Sequence, residues 1–317
     1  MMSNKVLITV LSPTYNKSKT IGRTFNSLLS QTCYDFEWLI VNDGSTDNSI
    51  EIANSFQTNL FPIRIINKKN EGLNRTFNRG VKEANGCYIL RLDPDDCLTN
   101  DAIELVSKYI NKTRNDEYIC GVAFLTKFDT GEIIGTHPFD DVFRTNFFDY
   151  RYVYRAKGDR CEIVKKSILE RYQMPEIEGE KFCRESYMWN CMAQEYDAIY
   201  VPKAIYIREY SASSISSNSV RVYSNNPVGM MLCNSNNVNL LIKKKPLRNY
   251  FMFILRSGIN YFRFGLYSKR KLMEIFKGLP LLVSVICFLP GFFFYMIDHL
   301  SPSITNRIVR LNVKRRK

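Results

Sequence analysis

The chain has 317 residues, of which 45% are hydrophobic and 24% charged, so it can bury one large core or two smaller ones and does not have the composition of a disordered protein. The formal net charge of +13 is confined to residues 243–317, where 16 Lys and Arg face two acids, which leaves −1 for the other 242 residues. Nine scattered cysteines without a C-x-x-C pair argue against a disulfide framework or a zinc site and suit free thiols in a reducing compartment.

The first 98 residues alternate between two periodicities. Short apolar runs rich in β-branched residues predict buried strands, and longer segments with an apolar stripe predict helices. The predicted strands are 6–11, 36–41, 63–66 and 88–92, and the predicted helices between them are 18–30, 50–56 and 74–85. This alternation predicts an α/β protein with a mainly parallel sheet and right-handed crossovers.

The pattern changes after a predicted helix over 101–111. Residues 119–128 and 132–136 flank Asp129-Thr130-Gly131, which predicts a hairpin. Further along, 176–197 predicts a loop followed by a helix, and 198–210 predicts two short strands broken at Pro202. A polar, serine-rich loop over 211–219 precedes the aromatic and basic C-terminal part.

The C-terminal part contains 19 nearly charge-free residues, 279–297, interrupted by Pro290-Gly291. That length is close to the ~20 residues of a membrane-spanning helix. Basic segments flank the run on both sides, which places both ends on the same side of a membrane if positive residues stay cytoplasmic. A bent or re-entrant hairpin or an interfacial helix pair therefore fits better than one span, and packing on the protein body remains the alternative.

Three polar clusters follow predicted strands: residues 12–16, 42–47 and 93–96. In open α/β sheets ligands bind at the carboxyl ends of the strands, so the three clusters should meet at one edge. Each cluster alone also suits a turn or a helix cap. Three together at one sheet edge are more consistent with a binding site.

The chemistry of these clusters suits a nucleotide diphosphate. The chain lacks G-x-x-x-x-G-K-[ST] and has no G-x-G-x-x-G after the first strand, which argues against a phosphate-cradling loop and a dinucleotide dehydrogenase. Clustered aspartates at a strand end instead suit Mg²⁺ or Mn²⁺, which take oxygen ligands and bridge phosphate oxygens.

Four segments, LSPTYN, VNDGSTDNS, NEGLNRTFNRGVKEANG and LRLDPDD, together resemble the family 2 glycosyltransferases of the GT-A fold. Their order and spacing over residues 6–98 are specific, and the resemblance continues more weakly to about residue 216. It implies a Rossmann-like, mainly parallel sheet with flanking helices, and an inverting transfer of sugar from a nucleotide diphosphate sugar, usually a UDP-sugar. We therefore expect a catalytic domain over 1–220, with a nucleotide-sugar half (1–98) and an acceptor half (99–220), and a membrane-associating helical region over 221–317.

The resemblance also implies roles for the polar strand ends. Pro13, Thr14 and Tyr15 would line the base pocket, Asp43 would hydrogen-bond the base, and Asp93 would lie near the ribose or the metal. The implied nucleotide-binding residues are Pro13, Thr14, Tyr15, Asn16, Asp43 and Asp93. The implied ligands of Mn²⁺ or Mg²⁺, through the D-x-D element, are Asp95 and Asp96, with Asp93 beside them.

An inverting transfer needs one general base for the acceptor hydroxyl, which in this family is a carboxylate that opens a helix well after the D-x-D. The corresponding segment here is GEKFCRESYMW, which makes Glu185 the predicted base and leaves Glu178 and Glu180 in reserve. An acid favoured by the helix dipole is the structural alternative for Glu185.

Two features depart from the family pattern. The histidine that many relatives place near the end of the catalytic domain is missing, because His137 and His299 do not match its position. Either no residue replaces this histidine, or Arg208, Glu209 or a serine does. The usual Arg-Asn pair before the fourth strand reads Phe77-Asn78, so Arg75 or Arg79 supplies the positive charge, or nothing does.

The leading hypothesis is a glycosyltransferase that builds a surface polysaccharide on a lipid-linked or growing glycan. The N-terminus shows no secretory signal pattern, so we expect a peripheral or monotopic enzyme on the cytoplasmic face of the cell membrane, held at the inner leaflet by the basic tail. A nucleotidyltransferase and a nucleic-acid-binding protein are the alternatives. The long apolar run in the tail argues against the second, and we expect no nucleic-acid partner.

Overall fold

The computed structural model describes residues 6–209 and 219–300. Contacts divide the chain into two compact units, Met1–Gln173 with Cys191–Tyr210 and Met174–Asn190 with Ser211–Lys317. These units differ from the predicted division at residue 220, because residues 174–190 pack with the C-terminal helices. The predicted serine-rich loop over 211–219 lies almost entirely outside the described residues.

The first unit is built on one mixed, mainly parallel sheet. Its strands run in the spatial order β3-β2-β1-β4-β8-β6-β9-β5, and β7 pairs with β9. The strands in the described residues are β1 (Ile8–Thr14), β2 (Phe36–Asp43), β3 (Ile63–Lys68), β4 (Tyr88–Arg91), β5 (Cys97–Leu98), β6 (Ile119–Phe128), β7 (Phe143–Thr145), β8 (Arg160–Lys165) and β9 (Asp197–Arg208). Strands β1 to β4 are mutually parallel, as predicted.

Helices cover both faces of this sheet because its central strands are apolar on both sides. The helices of the first unit are α1 (Ile21–Leu29), α2 (Ser49–Asn54), α3 (Leu73–Glu83), α4 (Ala102–Thr113), α5 (Phe147–Tyr152) and α6 (Lys166–Arg171). On one face, Phe25 of α1 stacks on Trp38 of β2 and on Phe56, with ring centroids 5.9 and 4.3 Å apart. This aromatic group attaches α1 and α2 to the sheet beside the loops that follow β1 and β2.

Two sequence predictions in the second half of the sheet need correction. Residues 198–210 do not form two strands, because β9 continues through Pro202. The register with β6 shifts between Phe124 and Leu125, opposite this proline, and such an irregularity accommodates a residue without a backbone N–H. The predicted hairpin forms only next to its turn, where the Phe128 N–H donates to the Glu132 carbonyl (2.9 Å), the Ile134 N–H donates to the Thr126 carbonyl (2.8 Å), and Lys127 and Ile133 make one isolated antiparallel bridge.

The second unit is helical. Its elements are α7 (Ser186–Met192, to Asn190 in this unit), α8 (Ser219–Ser224), α9 (Pro227–Leu241), a short 3₁₀ turn (Leu247–Asn249), α10 (Phe251–Tyr267), α11 (Leu272–Lys277) and α12 (Leu281–Leu300). Helix α10 packs between α9 and α12. Judged by length and composition alone, Leu281–His299 of α12 could cross a membrane. Of its most apolar 18-residue stretch, 17% is buried inside the protein.

A buried carboxylate connects four parts of the first unit at the amino edge of the sheet. Glu37 of β2 accepts hydrogen bonds from the Thr9 hydroxyl (2.7 Å), from Arg64 (3.0 Å) and from the backbone and side-chain nitrogens of Asn85 (2.6 and 2.8 Å). Burial alone would raise the pKa of Glu37, but these donors outweigh it and lower the pKa below its ordinary value.

We expect Glu37→Gln to lower the free energy of unfolding by about 1–3 kcal/mol, because it leaves buried donors without a charged acceptor. Since the folded-state pKa is lowered, the stabilisation by Glu37 is complete at neutral pH and is lost as the pH falls below about 4.5. Urea titrations from neutral pH to pH 4 should therefore show a shrinking difference between wild type and variant. The exposed Glu51→Gln is the control, and a constant difference would contradict the assignment.

Candidate active site

Three polar loops lie side by side at the carboxyl edge of the sheet. Strand β1 is flanked by β2 and β4, and Thr14 at its end pairs with Asn42 of β2. On the other side, the Leu92 N–H donates to the Leu11 carbonyl (2.9 Å), which extends the pairing to the beginning of the 93–96 loop. The structure thus brings together the three clusters that the sequence identified.

The loops after β1 and β2 are bound directly to each other. The Asn16 side chain, on a residue with φ of 51°, accepts from the Thr46 N–H (2.8 Å), and the Asn16 N–H donates to the Ser45 hydroxyl (3.1 Å). Pro13 and Thr14 are buried beneath this contact, whereas Tyr15 is 46% exposed. Tyr15 is therefore the residue of this predicted base pocket that presents a ring to solvent.

Asp43 is almost fully buried at the end of β2. One of its oxygens accepts from the Lys68 ammonium (2.6 Å) and the Glu71 N–H (2.9 Å), and the other accepts from the Gly72 N–H (2.9 Å). The next residue, Gly44, has φ of 69°, and an added Cβ would lie 2.8 Å from the Asn70 nitrogen. In this structure Asp43 holds the 68–72 loop in place, so its predicted contact with a base remains a prediction.

The aspartates of the 93–96 loop have three different environments. Asp93 accepts from Arg91 (2.8 Å), and its backbone N–H donates to the Tyr206 hydroxyl (3.1 Å). Burial would raise the pKa of Asp93, but Arg91 and Arg208 lower it below its ordinary value. Asp93 is therefore an ionised carboxylate at neutral pH.

Asp95, like Asp93, is partly exposed. Its carboxylate forms an ion pair with the ammonium of Lys17, and both side chains remain about one-third to one-quarter exposed. Lys17 follows Asn16 directly, and its N–H donates to the Ser49 hydroxyl (2.6 Å), which fixes the backbone that carries the ammonium. The loops after β1 and β4 thus meet through a solvent-accessible pair of opposite charges.

Asp96, in contrast, is buried and accepts hydrogen bonds on both oxygens. The Tyr206 hydroxyl donates to one (2.8 Å) and the Glu209 N–H to the other (3.0 Å), so Asp96 connects the end of β9 to the 93–96 loop. Burial and the neighbouring Asp93 raise the pKa of Asp96 to about 6. These two hydrogen bonds indicate that Asp96 has a structural role at the edge of the sheet.

Helix α1 holds the 93–96 loop from the other side. The Thr20 hydroxyl donates to the Pro94 carbonyl and the Thr24 hydroxyl to the Asp96 carbonyl, each at 2.9 Å. These contacts fix the main chain of the loop and leave the Asp93 and Asp95 side chains partly exposed, at 25% and 27%.

The loop of three aspartates is surrounded by side chains that the sequence did not predict as part of the site. Lys17, Arg91 and Tyr206 contact the three aspartates, and Arg208, named earlier as one possible substitute for a histidine, lies 3.8 Å from Asp96. Lys17 adjoins a recognised motif and could have been found on that ground. Tyr206 could not, because its position in β9 is more than 100 residues from Asp96 in sequence.

The predicted base and its reserves lie in the second unit. Glu185 directly precedes α7, and its carbonyl accepts the Trp189 N–H (3.1 Å). Glu178 is exposed. Glu180 is buried and accepts from the N–H groups of Val228 (2.7 Å) and Gly229 (2.8 Å) at the beginning of α9.

The segment that leads to Glu185 is held on the same helix end by further contacts. The Asn226 side-chain oxygen accepts from the N–H groups of Lys181 (2.8 Å) and Phe182 (3.0 Å), and the Cys183 thiol lies 3.5 Å from the Cys233 thiol. Together with Glu180, these contacts leave the chain little freedom just before Glu185.

A divalent cation fits one part of this site and not another. Within residues 6–209 and 219–300, no three carboxylate, imidazole or thiolate groups form a metal cage. Mg²⁺ is commonly held by one or two carboxylates together with substrate phosphates, so a cage is not required. The accessible Asp95 carboxylate, already paired with a cationic group, suits such a ligand, whereas Asp96 has both oxygens engaged.

Comparisons with known proteins identify the family of the chain. The model of the family described as Glycosyl transferase family 2 matches residues 9–171. Chondroitin synthase of Pasteurella multocida is 42% identical over 108 residues, which are 34% of this chain and 11% of that protein. The chain therefore matches about a tenth of the length of this relative.

Two solved structures share the fold. S. aureus TarS 1-349 in complex with UDP-GlcNAc superposes with a TM-score of 0.61 at 19% identity, over 88% of this chain and 83% of that one. The mannosyltransferase PcManGT from Pyrobaculum calidifontis, in complex with GDP-Man and Mn²⁺, superposes with a TM-score of 0.55 at 14% identity, over 92% of this chain and 87% of that one. The sheet is thus of the GT-A type. Since the family model covers more than half of the chain and contains all three polar strand ends, the protein belongs to glycosyl transferase family 2.

Proposed function

We propose that this glycosyltransferase moves a sugar, with inversion, from a nucleotide diphosphate sugar to a hydroxyl of a glycan or lipid-linked acceptor in cell-surface polysaccharide synthesis. The observation that carries the proposal is the accessible Asp95–Lys17 pair at the carboxyl edge of the sheet, beside Asp93. A carboxylate and an ammonium in adjacent loops offer complementary charges to a cation and to a diphosphate.

A UDP-sugar is the proposed donor. Tyr15 offers an exposed ring beside the Asn16 loop, and Asp93 offers an ionised carboxylate within the same edge. Those two groups suit a stacked base and a ribose hydroxyl, and the remaining predicted nucleotide-binding residues shape the loops between them. The complex of TarS with UDP-GlcNAc supports a uridine nucleotide in this fold.

Mn²⁺ or Mg²⁺ is the proposed cofactor, held by Asp95 with Asp93. When bound, the cation would neutralise the charge of the diphosphate leaving group. Asp96 is proposed as a positioning residue because its two oxygens bind Tyr206 and Glu209. The proposed metal ligands are therefore Asp95 and Asp93, without Asp96. Lys17 and Arg91 hold the carboxylates in place and bring positive charge to the site.

Glu185 is the proposed general base. It would take the proton of the acceptor hydroxyl as that oxygen attacks the anomeric carbon and the bond from this carbon to the diphosphate breaks. Glu180 is less suited to this role, since its oxygens bind the N-terminal amides of α9. We propose that Glu180 and Asn226 position the segment that carries Glu185.

The proposed location is the cytoplasmic face of the cell membrane, with peripheral or monotopic attachment through the C-terminal helices. The support is the net positive charge of residues 243–317 together with the apolar helix α12. This attachment would bring the enzyme to a lipid-linked acceptor.

The donor can be tested by product analysis and by thermal shift. With Mn²⁺ present, the enzyme should release UDP from a UDP-sugar, and UDP at about 100 times its Kd should add about 2.7 kcal/mol to the free energy of unfolding. GDP is the control nucleotide. Pyrophosphate released from a nucleoside triphosphate, without UDP release from any UDP-sugar, would support a nucleotidyltransferase instead.

For the cofactor, we expect Asp95→Asn to weaken Mn²⁺ binding in the presence of UDP by at least about 10–100-fold. Isothermal titration calorimetry measures this affinity directly, without relying on turnover. The exposed Asp140→Asn is the control and should bind Mn²⁺ as the wild type does. Unchanged Mn²⁺ affinity in Asp95→Asn would remove Asp95 as a ligand.

For the base, we expect Glu185→Gln to lower kcat by about 10²–10⁴-fold while the melting temperature and UDP binding stay unchanged. The matched control is the exposed Glu178→Gln, which should keep nearly full activity. Normal turnover in Glu185→Gln, or an equal loss in Glu178→Gln, would contradict the assignment.

A further inference from the structure

Helix α12 exposes a continuous apolar stripe. At about 100° per residue, its exposed large side chains fall within an arc of about 140° on one side of the helix. These residues and their exposed fractions are Leu281 (76%), Leu282 (73%), Val285 (62%), Ile286 (45%), Leu289 (70%), Phe292 (44%) and Phe293 (62%). Such a large apolar surface normally marks an interaction site.

The opposite side of α12 packs lengthwise on α10. Cys287 is fully buried there, and Ser284 is fully buried beside α11, where its hydroxyl donates to the Phe276 carbonyl (3.3 Å). The two helices are in close contact, because a Cβ added to Gly258 of α10 would lie 2.5 Å from the Cys287 sulfur and one added to Gly291 would lie 2.6 Å from the Phe262 Cβ. Helix α12 therefore exposes the apolar stripe to solvent, and its opposite face packs against the protein.

A buried ion pair holds the C-terminal end of α12 on the same helix. Arg263 of α10 donates to Asp298 at 2.6 Å, and the Asp298 side chain is 2% exposed. Asp298 falls on the buried side of α12, within the arc that contains Ser284 and Cys287. Asp298 thus faces α10, and the side of α12 that carries residues 281–293 is apolar along several turns.

The net charge of the segment that contains α12 indicates what kind of partner binds the apolar stripe. Residues 243–300 contain ten Lys and Arg and two acids, Glu274 and Asp298, and the second of these is paired internally. An apolar stripe on a helix within a segment of net positive charge matches the acyl chains and headgroups of an anionic lipid surface. A second copy of this chain would bring the same positive charge to the interface and is therefore disfavoured.

We propose that α12 lies in the plane of an anionic membrane interface, with the 281–293 stripe inserted among the acyl chains, and does not cross the bilayer. This inference rests on the proposed membrane attachment and specifies its geometry. It is independent of the transferase chemistry, because vesicle binding is measured without donor or acceptor.

Flotation with lipid vesicles tests the surface. The full-length protein should float with phosphatidylcholine vesicles that contain phosphatidylglycerol, less with phosphatidylcholine alone, and less at high salt. Leu282→Glu and Leu289→Glu should each lower partitioning about tenfold or more. The matched control is Tyr118→Glu, a residue of the first unit that is 69% exposed, as Leu289 is 70% exposed.

Tryptophan depth measurements separate an in-plane helix from a spanning one. An in-plane helix holds its whole stripe at one depth, close to the headgroups. Lipids brominated near the headgroup should therefore be the strongest quenchers of all three variants Leu282→Trp, Leu289→Trp and Phe293→Trp. Wild type, with Trp38 and Trp189, supplies the background. Strongest quenching of Leu289→Trp by lipids brominated near the chain end, with shallow quenching of Leu282→Trp, would show a spanning helix and overturn the proposal.

Three further results would also overturn it. The first is that the wild type does not float on anionic vesicles. The second is that the two glutamate variants float as well as the Tyr118→Glu control. The third is a wild-type dimer in light scattering that Leu289→Glu converts to a monomer, without flotation of either, which would assign the stripe to a second copy. Circular dichroism of each variant confirms that its helices remain folded.

Discussion

The hydrogen bonds on the Asp96 carboxylate are the interaction on which the proposed donor site depends. After β4 the chain crosses the carboxyl edge of the sheet to reach β5, which pairs with the far side of β9. Asp96 connects this crossing to β9 through the Tyr206 hydroxyl, and the same hydroxyl accepts the Asp93 N–H. Two strands that are not neighbours in the sheet thereby control the position of one four-residue loop.

Within that loop, equal side chains acquire unequal properties from their surroundings. Asp93 is kept ionised by Arg91 and Arg208, Asp95 is open to solvent beside Lys17, and Asp96 is buried with a raised pKa. A buried carboxylate with two donors holds the backbone, and an accessible one can exchange its cationic partner for another cation. Under the proposed function, the motif combines a structural carboxylate and a binding carboxylate within four residues.

The second unit shows the same separation between rigid support and exposed surface. Glu180 and Asn226 bind the chain to the beginning of α9, directly before Glu185. At the other end of the unit, Asp298 and Arg263 hold α12 on α10. In both places, buried polar groups that bind one another hold a segment of the unit in position.

The sequence by itself determined the alternating strands and helices, the three polar strand ends and the segregation of charge into the last quarter, because each is a local pattern of periodicity or composition. It did not distinguish Asp95 from Asp96, did not reveal Tyr206, and predicted a break in β9 at Pro202 that the sheet does not have. Those features were decided by the tertiary structure, because burial, pairing register and hydrogen-bond partners depend on residues far apart in the chain. The same reason explains α12: its length and hydropathy are local, but which side faces α10 is not.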